Sequence, residues 1–157
     1  MKVILLVVGK TDKRYMQDAV DEYAKRLKHY VSFDIEIITD LRNSKNMTSE
    51  VQKIKEGDLI LNRDLSGKEL HLLDESGQMF TSREFATFIE KKMLSGLKEL
   101  IFVIGGPYGF STEVYEKANS KISLSKMTFS HQMARLLCIE QIYRAFTILK
   151  GEPYHHD

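Results

Sequence analysis

Residues 2–8 of this chain read KVILLVV, an apolar run with no polar face. A strand apolar on both sides belongs in the middle of a parallel sheet covered by helices, because an antiparallel sheet with one wet face alternates instead. Parallel neighbours need crossover connections, so the rest of the chain must supply helices between strands. It does. Residues 12–30 place Tyr15, Met16, Ala19, Val20, Tyr23, Leu27 and Tyr30 at three- and four-residue steps, which predicts a helix with Thr11 or Asp12 as N-cap. Residues 33–38 alternate and predict a strand with one wetter face.

Residues 48–63 allow two readings. Val51, Ile54, Leu61 and Leu65 suit a helix, Gly57 interrupts it at a cost of about 1 kcal/mol, and Leu59-Ile60-Leu61 would also serve as a strand. The helix is preferred. Residues 69–74 predict a strand closed by a Glu75-Ser76-Gly77 turn, and Thr81-Ser82-Arg83-Glu84 is a capping box opening a helix to about Leu94. Strand 99–105, helix 111–119, strand 121–125 and helix 131–149 complete an α/β pattern: a mostly parallel sheet with helices on both faces, in one domain over residues 1–157.

Composition limits the function classes. No apolar run approaches the roughly 20 residues of a membrane span, and MKVILLVVGK lacks the length and cleavage site of a signal peptide. The single Cys138 excludes an internal disulfide and a Cys-cluster metal site and points to a reducing, cytoplasmic setting. Net charge is +1, against bulk binding of naked nucleic acid. Between Lys117 and Lys150, however, Lys117, Lys121, Lys126, Arg135, Arg144 and Lys150 face a single acid, Glu140, so either a local basic surface or an ordinary solvated one is expected there.

The last helix is unusual. From Met133 to Leu149 its polar positions are Arg135, Glu140, Gln141, Arg144 and Thr147, and all but Arg135 fall within about 120° of arc. A helix apolar around most of its circumference is buried on more than one side. This predicts a homodimer with the helix in the interface; the alternative is a central packing helix in a monomer. Cys138 on that helix reads as core.

Two strand ends carry the candidate chemistry. Ile104-Gly105-Gly106-Pro107-Tyr108-Gly109 follows a strand, where glycines let the backbone approach a ligand or merely turn. It is neither a dinucleotide fingerprint nor a P-loop. Leu124-Ser125-Lys126-Met127-Thr128-Phe129 joins a strand to a helix. Its backbone suits reading an adenine edge between apolar Leu124 and Met127; equally, it suits a plain connection with Thr128 or Ser130 as N-cap. His131 and Gln132 lie in the first turn of the last helix, for contact, proton transfer or packing. The tail Glu152-Pro153-Tyr154-His155-His156-Asp157 is either frayed or, if folded over a dimer interface, able to meet the partner's loop. His155 and His156 lack a third ligand, so no metal is expected.

At these residues the sequence becomes specific. FVIGGPYGF, SLSKMTFSHQMARLLCIEQIYRAF and PYHH strongly resemble the bacterial ribosomal large-subunit pseudouridine N3-methyltransferases, the RlmH family of the SPOUT superfamily. VILLVVGK, YAKRLKHY and HLLDESGQMFTSREFA fit the same family, so the resemblance spans essentially the whole chain. It implies a SPOUT domain with a C-terminal trefoil knot, a homodimer, S-adenosylmethionine as methyl donor, and a pseudouridine of 23S rRNA in the assembled ribosome as acceptor. By position it implies a cofactor site of Leu73, Gly105, Leu124, Ser125, Lys126, Met127, Thr128 and Phe129. It also implies a catalytic cluster of Tyr154, His155 and His156, the last standing where many members carry Arg. His155 is then the candidate base, and Lys126 or Arg135 would stabilise developing charge or hold phosphates. Two other readings use the same features: a flavodoxin-like binding protein, and a ribosome-associated factor without catalysis.

Overall fold

The computed structural model describes residues 1–42 and 44–156; Asp157, the end of the predicted tail cluster, lies outside them. Five strands form one parallel sheet: β1 (Lys2–Val8), β2 (Ser32–Ile38), β3 (Lys68–Met79), β4 (Glu99–Ile104) and β5 (Ser120–Ser123), in the order β2-β1-β4-β3-β5. The helices are α1 (Arg14–Leu27), α2 (Ser49–Leu61), α3 (Ser82–Leu94), α4 (Thr112–Lys117) and α5 (His131–Leu149).

The two-residue period of the central strands divides the core. Val3, Leu5, Val7, Leu100, Phe102 and Ile104 face one layer with α1, α3 and α5. Ile4, Leu6, Val8, Leu70, Leu72, Ile101 and Val103 face the other, with α2 and α4. Each such side chain, fully buried, contributes roughly 1.5–3 kcal/mol.

Residues 48–63 fold as a helix, capped by Thr48, whose hydroxyl accepts from Val51 N. Gly57 inside it has a packing reason: a Cβ there would overlap the Ser111 hydroxyl, which caps α4. Its helix-propensity cost therefore permits the close approach of α2 to α4. The capping box at Thr81 and Glu84 forms as expected. The N-cap expected at Thr11 or Asp12 does not. α1 starts at Arg14 after Lys13, with no side-chain cap, because the Thr11 hydroxyl instead accepts from Arg135 Nη1 at 3.1 Å.

The expected turn at 75–77 is also different. β3 runs on to Met79, and its pairing with β5 shifts register so that both Leu73 and Gln78 oppose Ile122. Residues 74–77 form an excursion between those two pairings. Gly77 lies so near β5 that a Cβ would stand 2.5 Å from Ile122 N.

α5 lies between α1 and α3 over the sheet. Cys138, Ile139, Ile142, Ala145 and Phe146 are buried beneath it, and Tyr23 and Tyr30 approach Tyr143 from the α1 side. Much of the apolar circumference is thus covered within one chain. The outward stripe through Met133, Leu137, Glu140, Gln141, Arg144 and Ile148 stays partly or fully exposed.

Candidate functional site

An open parallel sheet binds ligands outside the carboxyl ends of its strands. Here the excursion within β3 and the ends of β4 and β5 surround a cavity of about 550 Å³, within the range of small-molecule sites. Leu73 and the 74–76 excursion, Ile104 through Phe110, and Ile122 through Ser125 form its walls, with Met127, Thr128, Phe129, His131 and Ala134 closing the side nearest α5.

Each wall is fixed locally. A Cβ on Gly105 would stand 2.9 Å from the Phe110 ring, so only glycine lets that ring pack against the loop. Gly109 takes φ +77°, and its amide donates to Gly106 O at 3.2 Å, closing the loop on itself. Behind the loop, a Cβ on Gly106 would overlap Glu56 Oε2, a buried oxygen with no hydrogen-bond partner. Burial raises the Glu56 carboxyl above its ordinary value; Gln52, donating to Oε1 at 2.8 Å, opposes this and Asp40 adds to it.

The excursion brings carboxylates to the rim. Asp74 accepts from Tyr115 at 2.6 Å and from the Ser76 amide at 2.8 Å. Burial works against ionisation of Asp74, but the hydrogen bonds from Ser76 and Tyr115 outweigh it and hold the carboxyl below its usual value. Burial and the bond to Asp74 push the Tyr115 hydroxyl up to about 12. Thr128 donates to Glu75 at 3.3 Å, tying the second loop to the excursion. His131 is kept below the ordinary imidazole value by burial and by the nearby Arg135 guanidinium.

The predicted cofactor residues Leu73, Gly105, Leu124, Ser125, Met127, Thr128 and Phe129 all meet at this cavity. Lys126 is exposed and does not line it. Arg135 is not available to a substrate: it is 3 % exposed, and its Nη2 donates to Val8 O at 2.6 Å. The six basic residues of 117–150 do not form one patch either, since Arg135 is buried, Arg144 pairs with Glu140, and Lys121 sits over Tyr115. Cys138 is core, its thiol pushed up to about 12 by burial.

The sequence reading missed Asp74, Glu75 and Tyr115. Asp74 ended a predicted strand and Glu75 opened a supposed turn. Tyr115 carried no local signal, because its partner lies 41 positions away.

The described part of the tail, residues 152–156, lies elsewhere and does not line the cavity. Tyr154 donates to Glu140 at 3.1 Å, meets the Tyr23 hydroxyl at 3.2 Å, and turns its ring against Tyr143 and under Arg144. Burial, then Tyr23 and Glu140, raise the Tyr154 hydroxyl. Tyr30 donates to Glu152 at 2.5 Å. Arg144 Nη1 lies 3.4 Å from His155 Nδ1; with the guanidinium donating, that nitrogen carries no proton. His156 is exposed. The two halves of the predicted site are therefore apart within one chain.

No described helix is long and apolar enough to cross a membrane, and no cluster of metal-ligating side chains occurs among the described residues.

Comparison with known proteins agrees with this architecture. A probable methylase family protein from Haemophilus influenzae Rd KW20 superposes with a TM-score of 0.54 at 11% identity, covering 99% of this chain and 70% of that one, a likeness of fold alone. Ribosomal RNA large subunit methyltransferase H of Parabacteroides distasonis is 58% identical over 157 residues, all of both chains. The protein of that name from Christiangramia forsetii is 57% identical over 99% of each. The family model described as predicted SPOUT methyltransferase matches residues 1–155, and the chain belongs to that family of methyltransferases.

Proposed function

We propose that this chain methylates N3 of a pseudouridine in 23S rRNA of the assembled ribosome, as a cytoplasmic homodimer using S-adenosylmethionine. One observation carries the reading: the excursion within β3 and the loops after β4 and β5 converge on one ligand-sized cavity, in a chain 58% identical throughout to a ribosomal RNA large subunit methyltransferase H.

The residues present suit the donor. Leu73, Ile104, Phe110 and Leu124 supply apolar walls for a purine, the loop backbones supply donors and acceptors, and Asp74 and Glu75 supply negative charge for a cationic ligand. When bound, S-adenosylmethionine supplies an activated methyl group. What is left to the protein is to align the acceptor nitrogen, exclude water and remove the N3 proton. Tyr154, His155 and His156 are assigned to that side of the reaction. His155, held 3.4 Å from Arg144 through Nδ1, is assigned the N3 proton, which it takes on giving up that contact, and Tyr154 fixes its place on α5. Lys126, exposed at the second loop, is placed to meet RNA phosphate. Because the tail packs away from the cavity of its own chain, these groups serve the cavity of a second copy, facing it across the open stripe of α5. The trefoil knot belongs to the same proposal: the chain leaves β5 at the sheet edge, and residues 124–130 carry it back to α5 over the middle.

The test is methylation of ribosomes from a strain lacking the activity, with the product nucleotide identified by mass spectrometry. N3-methylpseudouridine is expected in 23S rRNA. Absence of methyl incorporation at any pseudouridine overturns the proposal.

A further inference from the structure

The connection from β1 to α1, residues 9–13, plays no part in the cavity walls, yet it is firmly held. Gly9, at φ +77°, donates to Ile38 O at 2.8 Å. Arg135 fastens the connection through Val8 O and the Thr11 hydroxyl, and Gln132 Nε2 donates to Lys10 O at 3.2 Å. Both anchors come from the first turns of α5, whose His131 and Ala134 line the cavity. The backbone of this loop is therefore set relative to the ligand site.

Its side chains are free in the opposite sense. Lys10 and Lys13 are exposed and in no ion pair among the described residues, and Arg14 is 94% exposed with Asp18 at 4.0 Å. Beside them the Tyr15 ring is 70% exposed. Asp12 and Asp40, the nearby acids, act on the Arg135 guanidinium. A hydrogen-bonded backbone that presents three exposed cations and an uncovered aromatic ring suits a polyanion whose units also stack.

Resting on the function proposed above, we infer that Lys10, Lys13 and Arg14 hold backbone phosphates of the substrate RNA, with Tyr15 against a base or ribose, and so seat the RNA beside the cavity. Phosphate contacts of this kind set register and orientation without reading sequence.

The experiment compares wild type with K10Q/K13Q/R14Q, with Y15A, and with K28Q/K91Q/K98Q, which removes as many exposed cations at the amino ends of the strands. Affinity for purified assembled ribosomes is measured against salt, and S-adenosylmethionine affinity by calorimetry. The loop variant is expected to keep donor affinity, to bind ribosomes at least about tenfold more weakly, and to lose roughly 2–3 from the slope of log K against log salt. Y15A is expected to weaken binding by about tenfold with the slope unchanged. The amino-end variant keeps both affinity and slope. Unchanged affinity and slope in the loop variant, or equal losses in both triple variants, overturns the inference while leaving the methyltransferase reading intact. Failure of the wild type to bind or methylate assembled ribosomes overturns that reading, and this inference with it.

Discussion

The cavity and the tail are two halves of one proposed site, built on different principles. The cavity is made of backbone: strand ends, a glycine loop closed on itself, and an excursion whose shape follows from the register of β3 against β5. The tail is made of side chains: Tyr154, Arg144, Glu140 and Tyr23 hold it by aromatic contact and charge-assisted hydrogen bonds. The cavity is complete within one chain. The histidines of the tail stand apart from that cavity. A binding site can be finished by one sheet, whereas the groups proposed to react would need a second copy to reach one.

The largest effect tests that division. Gly105→Val, which drives a side chain into Phe110, should abolish donor binding and activity. His155→Ala should leave donor binding nearly intact and abolish turnover. Subunits of the two variants, unfolded and refolded together in equal amounts, should recover about a quarter of wild-type activity, since half the dimers are mixed and each has one intact site. No recovery would place tail and cavity in the same chain.

Gly77→Ala strikes the cavity half alone. A Cβ 2.5 Å from Ile122 N must push β5 away, at about 2–4 kcal/mol, so thermal denaturation should shift down by roughly 4–16 °C. An unchanged midpoint would mean the excursion is loose. Tyr154→Phe strikes the tail half alone. It removes the bonds to Glu140 and Tyr23 for about 1–2 kcal/mol, and turnover should fall while calorimetric donor affinity stays at the wild-type value.

The smallest effect is pH-dependent. The Glu56 carboxyl is raised in the fold, chiefly by burial. Such a group adds stability below its unfolded value near 4.5, lost as pH rises through the folded value. Above that window wild type carries a buried charge whose Oε2 has no partner. Glu56→Gln should therefore stabilise by about 1 kcal/mol at pH 8 and not at pH 4. Equal effects at both pH values would remove ionisation from the account.

Much of this was legible in advance because local pattern and tertiary need agreed. KVILLVV is central because nothing polar interrupts it, and Thr81 with Glu84 caps α3 through bonds the two residues make with each other. Where sequence reading failed, a distant partner had taken over. Thr11 serves Arg135, 124 positions away, instead of its own helix. Glu75-Ser76-Gly77 looked like a turn because these residues favour turns, but the pairing of both Leu73 and Gln78 with Ile122 made residues 74–76 a wall of the cavity. Arg135 read as an exposed cation and is a buried clamp, since only the packed β1–α1 loop offers it a carbonyl and a hydroxyl.

By itself the sequence determined the layered parallel sheet, the two strand-end loops and, through its resemblance, the family. These follow from periodicity and short-range chemistry that any window of the chain contains. Only the tertiary structure decided which carboxylates rim the cavity, that α5 is sheltered on both flanks by α1 and α3, and that the tail rests apart from the loops it was expected to serve. Those outcomes depend on contacts between residues far apart in the chain, and their energies exist only once the sheet has brought them within reach.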